Sequence, residues 1–408
     1  MKADKAEQKY IARRRRKAFL SSIPFFICRI FPVKKNKIVF WSFEGTRGYC
    51  CNPKYVADEL IRRKKQEGIS YELVWLAQKE EERFPKEIRR ASNGLWSRAY
   101  HLSTAAVWVG NTRTFWGTQK RKKQTYIQTW HGTICIKPIG RYRGDLFPKI
   151  AEIVSESDSK LIDYVLSGSG WCDKYYRDGL LYDGEILRTG DPRCDILIYG
   201  REQMWEQIRT SYQLPQKANI VLYAPTFRGG SQSINRSIGT EVMSLSAELL
   251  LNSLERRFGG EWYLLLRLHP QLAARNQKCL YKEKSDRIID VTMHQDMNEL
   301  IAASDLFITD YSSSIFEAML LKIPCFIYAD DMEEYVRDRG DLFFKQEELP
   351  FDVAMTNEEL EESICGFEEE PYINRVDAFM KKWDVVEDGH ASERVADLIK
   401  NSYKGERA

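Results

Sequence analysis

The chain has 408 residues, of which 43% are hydrophobic, 12% aromatic and 30% charged. This length predicts two domains, and the composition excludes disorder, collagen and coiled coil as the main architecture because it can bury a sizeable core. A mean hydropathy of -0.48 excludes a protein that spans a membrane many times. Nine cysteines, an odd count without a Cys-x-x-Cys pair, indicate a reducing cytosol and argue against a zinc site.

The net charge of +3 conceals two basic segments on an otherwise acidic chain. Residues 1–37 hold twelve Lys or Arg against two acidic residues, and residues 113–143 hold eight Lys or Arg and no acidic residue. The cations at 13–17 stand beside a bulky apolar run at 19–31, a combination typical of an anchor on anionic lipid. We therefore predict that residues 1–36 form a basic amphipathic segment that associates with a membrane surface.

Other interpretations of this segment are a flexible basic tail followed by a packed helix, or a nucleic-acid contact. Nucleic acid is disfavoured because no helix-turn-helix, RNA-recognition signature or zinc finger accompanies the cations. The apolar stretch at 23–31 contains Pro24 and Arg29, is much shorter than the ~20 residues of a spanning helix, and lacks a secretory cleavage pattern.

Short β-rich apolar runs alternate with helical patterns, which predicts parallel sheets with crossover helices in a doubly wound α/β fold. In the first half the predicted strands are 37–43, 71–77, 105–110, 125–130 and 163–167, and the clearest helix begins at Pro53. In the second half they are 219–224, 262–268, 287–291, 305–309 and 324–328, with helices near 241–257, 296–303 and 312–322. A polar stretch around Pro215 predicts the domain change, which gives segments 1–36, 37–210 and 211–408.

Five polar clusters follow predicted elements, and ligands of open α/β sheets bind outside the carboxyl ends of the strands. In the first half, His131 stands beside a glycine turn within the acid-free basic segment. It fits a general base, or equally a loop histidine without chemistry. Arg193, in the segment 190–195, is predicted to face a ligand between the domains.

In the second half, Thr226 and Arg228 follow the first predicted strand and offer a hydroxyl and a guanidinium to phosphate oxygens. Arg267 and His269 stand two positions apart on a buried strand pattern, so their side chains share one face. A charge buried there needs an anion, or an acidic partner in a structural salt bridge.

Three serines, 312–314, open a predicted helix, where free amides and hydroxyls bind phosphate or simply cap the helix. Glu317, one turn later, is predicted to reach a ribose hydroxyl. The five histidines are scattered and no Asp-x-Asp ends a strand, so we predict no metal and no other cofactor. Walker and Gly-x-Gly-x-x-Gly motifs are absent from the sequence, which argues against ATPases and nicotinamide enzymes.

Taken in order, these clusters resemble the CDP-glycerol glycerophosphotransferase family of teichoic acid and capsule polymerases. The resemblance covers about residues 37–345 and is specific because five weak motifs occur in the family order. They are Gln128-Thr129-Trp130-His131-Gly132-Thr133, Gly190-Asp191-Pro192-Arg193-Cys194-Asp195, Tyr223-Ala224-Pro225-Thr226-Phe227-Arg228, Arg267-Leu268-His269-Pro270 and Thr309-Asp310-Tyr311-Ser312-Ser313.

The resemblance implies a GT-B architecture, with two Rossmann-like domains around a cleft and the nucleotide held mainly by the C-terminal one. His131 would deprotonate an acceptor hydroxyl that attacks the β-phosphorus of CDP-glycerol, with release of CMP, and Arg267 and His269 would hold the diphosphate. His131 and His269 are thus the implied catalytic residues. The implied substrate-binding residues are Trp130, Gly132, Thr133, Arg193, Thr226, Phe227, Arg228, Arg267, Asp310, Ser312, Ser313 and Glu317.

Three positions depart from the family pattern. Ile134-Cys135-Ile136-Lys137 stands where Pro-Leu-Lys is usual, Cys194 replaces Asn, and Glu317 replaces Asp. The first departure leaves the acceptor open, and the lack of a long N-terminal domain leaves a one-unit primase or a capsule enzyme open.

We therefore expect a peripheral enzyme of the cytoplasmic membrane face, with CDP-glycerol as donor and a lipid-linked glycan or polyol-phosphate acceptor. The basic segment 113–143 fits such a polyanionic or lipid-diphosphate acceptor. The alternatives are a CDP-ribitol transferase, a GT-B nucleotide-sugar glycosyltransferase and a membrane-bound scaffold with an inactive cleft. A homo-oligomer is possible, and the number of units added stays open.

Overall fold

Two parallel β-sheets, one in each half of the chain, form the framework. A computed structural model describes residues 2–78, 84–226, 244–268 and 285–404. The first sheet contains β1 (Lys34–Trp41), β2 (Glu72–Ala77), β3 (Ile88–Ser92), β4 (Ala105–Gly110), β5 (Thr125–Gln128), β6 (Tyr164–Ser167) and β7 (Glu185–Arg188). The second contains β8 (Asn219–Tyr223), β9 (Trp262–Leu266), β10 (Ile288–Asp290), β11 (Leu306–Thr309), β12 (Cys325–Tyr328) and β13 (Asp352–Ala354).

Helices connect the strands in both halves. Those of the first half are α1 (Lys2–Ile27), α2 (Cys51–Glu67), α3 (Leu95–Thr104), α4 (Lys149–Ser159), α5 (Gly170–Leu180), α6 (Asp195–Tyr199) and α7 (Arg201–Tyr212). Those of the second half are α8 (Ala247–Phe258), α9 (Met297–Ala302), α10 (Ile315–Ala318), α11 (Met332–Arg339), α12 (Asn357–Cys365), α13 (Glu369–Lys382) and α14 (Ala391–Lys404). Short 3₁₀ turns lie at Cys28–Ile30, Phe43–Gly45, Gly140–Leu146, Pro192–Cys194, Met319–Leu321 and Gln346–Glu348.

The strand order of each sheet creates a ligand crevice. The first sheet runs β3-β2-β1-β4-β5-β6-β7 and the second β10-β9-β8-β11-β12-β13. In the first sheet, β2 and β4 lie on opposite sides of β1, and in the second sheet β9 and β11 lie on opposite sides of β8. The strand order therefore reverses beside β1 and beside β8, and a crevice opens there at the carboxyl ends of the strands. The doubly wound α/β prediction is confirmed.

Continuous apolar runs explain these central strands. Ile38 to Trp41 in β1 and Ile220 to Tyr223 in β8 are all buried, as is typical of a parallel sheet covered by helices on both faces. Each fully buried aliphatic side chain of this kind contributes about 1.5–3 kcal/mol to the free energy of folding.

Most predicted strands are confirmed with shifted ends, and the one at 105–110 keeps its predicted bounds as β4. Three predicted strands continue two residues too far, because β1 ends at Trp41, β5 at Gln128 and β9 at Leu266. The predicted helix at 312–322 is a short α10 followed by a 3₁₀ turn. β3, β7 and β13 were not predicted. Residues 241–243, at the start of the helix predicted near 241–257, lie outside the described part of the chain.

Helix α14 returns to the first half. Its Val395, Ala396 and Ile399 are buried in the same apolar cluster as Val56 and Leu60 of α2. The segment 211–408, predicted as the second domain, thus contributes a helix to the core of the first half. The domain bounds 37–210 and 211–408 stay a prediction.

Helix α1 packs one side on the first half and exposes another. Ala18, Phe25 and Cys28 are buried, the last two in the cluster that contains Leu102 of α3. Bulky apolar residues are exposed along the other side, namely Phe19, Leu20, Ile23, Phe26, Ile27, Ile30 and Phe31. Within the described ranges, no helix has both the length and the apolar character needed to cross a bilayer.

Candidate active site

A cleft of about 760 Å³ lies between the carboxyl ends of the two sheets. Loops that follow β1, β4 and β5 form its first wall, and loops that follow β8, β9 and β11 form its second wall. The sequence-predicted residues that line it are Trp130, His131, Gly132, Arg193, Thr226, Arg267, Ser312, Ser313 and Glu317. The cleft therefore brings together at least one described residue from each of the five motifs.

The His131 imidazole has a defined tautomer. Its Nδ1 lies 2.8 Å from the carbonyl oxygen of Asn111, which can only accept, so Nδ1 carries the proton and Nε2 has a free lone pair. Removal from water, together with the charges of Arg193, Arg47 and Arg113, lowers the pKa of His131 to about 4. The ring is therefore neutral at pH 7 and can accept a proton at Nε2.

The end of β4 fixes the surroundings of this histidine. A Cβ at Gly110 would stand 2.1 Å from the indole of Trp41, so only glycine permits this contact. The Gly110 carbonyl accepts the Thr129 N–H at 2.8 Å, and the Asn111 side chain accepts the Phe43 N–H at 2.8 Å. One strand end thus holds both the His131 loop and the loop after β1.

The loop between β1 and α2 is a part of the site that the sequence prediction missed. Phe43 and Glu44 in this loop, and Cys51 at the start of α2, have φ values of 45°, 58° and 61°, a left-handed conformation that costs non-glycine residues about 1–3 kcal/mol each. Arg47 in this loop lines the cleft, and its guanidinium lies 4.9 Å from the ring centroid of Phe43. The available signal was an arginine between Gly45 and Gly48 directly after the first strand.

Arg193 and Glu317 form a buried ion pair that joins the two halves. The Arg193 guanidinium donates to the Glu317 carboxylate, and their side chains are 8% and 1% exposed. Burial raises the pKa of Glu317 to about 7 against the opposing effect of Arg193. Glu317 is thus held by an arginine of the other half, and any contact that it makes with a nucleoside would have to accommodate this pair.

Arg267 is a buried cation held by backbone carbonyls. It donates to the carbonyl oxygens of His294 at 2.6 Å and Val291 at 3.4 Å. Burial, together with repulsion by Arg47, lowers the pKa of Arg267 to about 10. A phosphate placed between these two arginines would relieve the repulsion and offset the burial cost.

The second wall is completed by Thr226 and the serines after β11. Thr226 donates its N–H and its hydroxyl to the Asp310 carboxylate at 2.8 and 3.0 Å, so Asp310 fixes the loop after β8 and is absent from the described cleft lining. The Oγ atoms of Ser312 and Ser314 are 2.8 Å apart, and Ser314, rather than Ser312, occupies the N-cap of α10.

Not every predicted site residue can be located in the cleft. Thr133 is buried behind it, where its carbonyl accepts from the Ser169 hydroxyl at 3.3 Å. Phe227, Arg228 and His269 lie outside the described residues. The predicted placement of Arg267 and His269 on one face, and the predicted roles of all these residues, stay predictions.

The described cleft lining is strongly cationic. It contains one carboxylate, that of Glu317, and the cations of Arg47, Arg113, Lys137, Arg143, Arg193 and Arg267. Such a surface binds an anion with several charges, and Arg267 and the serine hydroxyls, which line the same cleft, suit phosphate oxygens. In the described ranges no group of three His, Cys, Asp or Glu side chains is arranged to hold a metal ion.

Comparison with known proteins gives a consistent result. A family profile described as CDP-Glycerol:Poly(glycerophosphate) glycerophosphotransferase matches residues 23–401. A teichoic acid poly(glycerol phosphate) polymerase of Staphylococcus epidermidis is 30% identical over 91% of this chain and 51% of its own length. A teichoic acid poly(ribitol-phosphate) polymerase of Bacillus spizizenii is 28% identical over 91% of this chain and 57% of its own length. The chain thus spans little more than half the length of these two relatives.

A solved structure extends this likeness to the whole fold. The structure of a histidine-to-asparagine variant of the wall teichoic acid polymerase TagF, soaked with CDPG, matches with a TM-score of 0.78 and 26% identity and covers 98% of both chains. The fold is accordingly GT-B-like.

Proposed function

The chain belongs to the CDP-glycerol:poly(glycerophosphate) glycerophosphotransferase family, and from this premise we propose that it transfers glycerol phosphate from CDP-glycerol to a membrane-linked acceptor. The acceptor is a hydroxyl of a teichoic acid or capsular polysaccharide, and CMP is the second product. The observation that supports this most directly is the cationic cleft in which a neutral His131 lies opposite Arg267 and the serine hydroxyls.

In the proposed reaction His131 acts as the general base. Nε2 takes the proton of the acceptor hydroxyl while the hydroxyl oxygen attacks the β-phosphorus of CDP-glycerol. The bond from this phosphorus to the bridging oxygen breaks, and that oxygen leaves with its electron pair on CMP. Arg267 stabilises the charge that develops on CMP, so catalysis rests on positioning and electrostatics.

The donor phosphates also influence His131. Burial and, to a smaller extent, the charges of three nearby arginines lower the pKa of His131. Phosphates bound between these arginines offset their charge, so His131 becomes more basic when the donor is in place. The negative charge of the bound donor thus tunes the base.

On the second wall, Arg267, Ser312 and Ser313 bind the diphosphate, together with His269, which the family motif supports. Thr226, Phe227 and Arg228 contact the donor in this proposal, as the family motif 223–228 implies. Glu317 contacts the nucleoside while it stays paired with Arg193, so that a residue of the other half of the chain also lies near the donor.

A CDP-ribitol donor is the second candidate. It is favoured by one specific observation, the similarity to a poly(ribitol-phosphate) polymerase at nearly the same identity as to the glycerol enzyme. The two polyol phosphates share every charged group, so the cationic cleft accepts either one.

The exposed side of α1 and the adjoining turn supports a membrane-facing role for the N-terminal segment. Its apolar side chains, for example Phe19, which is 69% exposed, and Ile30, which is 77% exposed, adjoin the basic cluster at 13–17. Apolar surface of this extent on a folded chain usually contacts another surface, and the cations favour anionic lipid. This surface would bring the cleft to a lipid-linked acceptor.

The test is nucleotide release. The purified chain is incubated, with chelator, with CDP-glycerol, CDP-ribitol or a UDP-sugar, each with a polyprenyl-diphosphate-linked acceptor mimic. We expect CMP from CDP-glycerol. CMP from CDP-ribitol alone would select the second candidate, and UDP from a sugar or no nucleotide at all would refute the proposed function.

A further inference from the structure

Asn52, in the first turn of α2, joins two loops of the site through one buried side chain. The residue is fully buried, and its Nδ2 donates to the carbonyls of Thr129 and Trp130 at 3.1 and 3.2 Å and to the Asp191 carboxylate at 2.8 Å. Its Oδ1 accepts the Arg193 N–H at 2.9 Å. Every polar atom of this amide is therefore used, and both loops that it contacts line the cleft.

The contacts to Thr129 and Trp130 support a strained turn. Trp130 has a φ of 53°, a left-handed conformation that persists in a non-glycine residue only when its surroundings enforce it. This turn follows β5 and directs the next residue, His131, into the cleft. Two hydrogen bonds from one rigid amide to the carbonyls on both sides of the turn provide such enforcement.

The contacts to the other loop fix Arg193. Asn52 accepts the Arg193 N–H, and Asn298 of α9 donates to the Arg193 carbonyl at 3.0 Å. The backbone of Arg193 is therefore hydrogen-bonded to both halves of the chain. Its guanidinium pairs with Glu317 in the second half. Asn52 is thus the side chain that links the Arg193 backbone directly to the turn before His131.

We propose that Asn52 is a positioning residue of the transfer reaction, which fixes His131 and Arg193 relative to each other in the cleft. The inference rests on the proposed function, because it gives these two residues their tasks. A displacement of about 1 Å in a reacting group can cost about a hundredfold in rate. Asn52 touches neither substrate in this arrangement, so its whole effect passes through the two loops.

The experiment is a double-mutant cycle on the full chain. Asn52→Leu preserves the side-chain volume and removes all four hydrogen bonds. We expect it to lower kcat for CMP release about 10- to 100-fold in the wild-type background. In a His131→Ala background, where no base is left to position, it should lower the residual rate less than about threefold. An equal loss in both backgrounds would overturn the inference, since a merely structural role acts alike in both.

Two further variants keep the result interpretable. Asn357→Leu is the matched control, because this amide also bridges backbone groups, those of Ser244 and Ser246, but lies away from the cleft, and it should leave kcat within about twofold. Asn52→Ser, a smaller change, replaces Asn52→Leu if the latter does not fold, with the same expected coupling to His131.

A readout without substrate separates this inference from the proposed function. Amide hydrogen exchange of the segments 128–134 and 190–194 should accelerate at least tenfold in Asn52→Ser, while the segment around Asn357 is unchanged. Unchanged exchange in both segments would refute the anchoring by Asn52 even if the wild type releases CMP. Absence of CMP from the wild type, with faster exchange in the variant, would refute the function and leave the anchoring intact.

Discussion

The two walls of the cleft differ in how they are built. The first wall concentrates cations on loops of the basic segment and of the β1–α2 connection, including Arg47, Arg113, Lys137 and Arg143. The second wall has one cation in its described lining, Arg267, which is fixed by two carbonyls beside serine hydroxyls. Several cations on loops attract any polyanion, whereas a guanidinium in a fixed orientation, together with hydroxyl groups, binds a phosphate in a defined position. We expect the first wall to govern acceptor and turnover, and the second wall to govern donor affinity.

The largest effect should come from the first wall. His131→Ala removes the proposed base and should lower kcat about 10²- to 10⁴-fold, because general-base catalysis contributes about this much. Donor affinity, measured by calorimetry with CDP-glycerol, should change less than about threefold. If affinity fell by the same factor as kcat, the assignment of the two walls would be wrong.

The second wall should respond in the opposite sense. Arg267→Met should weaken donor binding by about 1.5–3 kcal/mol, roughly 10- to 150-fold, because a charged hydrogen-bond partner of the diphosphate is lost. Arg267→Lys tests the requirement for a planar guanidinium and should recover only part of the affinity. Arg143→Met, a control on the first wall, should leave donor affinity nearly unchanged, and a loss equal to that of Arg267→Met would erase the distinction.

The pH dependence sharpens the comparison further. His131 must be neutral to accept a proton, and its pKa in the free enzyme is lowered to about 4. The acid limb of kcat/KM should therefore lie near pH 4, so kcat/KM at pH 5.5 should nearly equal its value at pH 7. An ordinary histidine would give about a tenfold loss at pH 5.5.

The same shift affects stability in a direction that can be checked. The neutral form of His131 is favoured in the folded chain, so the unfolded chain binds more protons between pH 6.5 and about 4. The contribution of His131 to the free energy of unfolding is complete above pH 6.5 and is lost as the pH falls through this window. Denaturant melts of the wild type and of His131→Ala should diverge there.

The smallest effect on the chemistry should come from the exposed side of α1. Ile23→Ser, Phe26→Ser and Ile30→Ser together should change CMP release with a water-soluble acceptor less than twofold. Binding to vesicles rich in phosphatidylglycerol, measured by sedimentation, should fall at least tenfold because apolar area is lost. The control variant changes Tyr199, Met293 and Met355 to Ser. These residues are exposed apolar side chains outside the N-terminal segment, so this variant should bind vesicles like the wild type. Equal loss in both would refute the membrane contact.

The central strands could be predicted because burial on both faces demands unbroken apolar runs, as in β4 and β8. The three missed strands are all edge strands, in which the apolar pattern is interrupted. β3 contains Arg89 and Arg90, β7 begins with Glu185, and β13 has three residues. The backbone pairing of these strands, rather than their side chains, defines them, and pairing is decided by neighbours distant in sequence.

The candidate site was predictable where a motif stands at a strand end, as with His131 and Arg267. Asn52 was missed because an asparagine in a helical turn has no distinguishing pattern, and Arg47 because an arginine between two glycines is a weak signal on its own. The pairing of Arg193 with Glu317 was also beyond reach, since the two are 124 positions apart and only the approach of the two halves joins them.

The return of α14 to the first half also affects how the protein is made. Residues 391–404 leave the ribosome long after the first sheet has been synthesised, yet Val395, Ala396 and Ile399 complete the apolar cluster around α2. The apolar face of α2 in the nascent first half therefore stays exposed while about two hundred further residues are translated, and a chaperone can bind this face during that period.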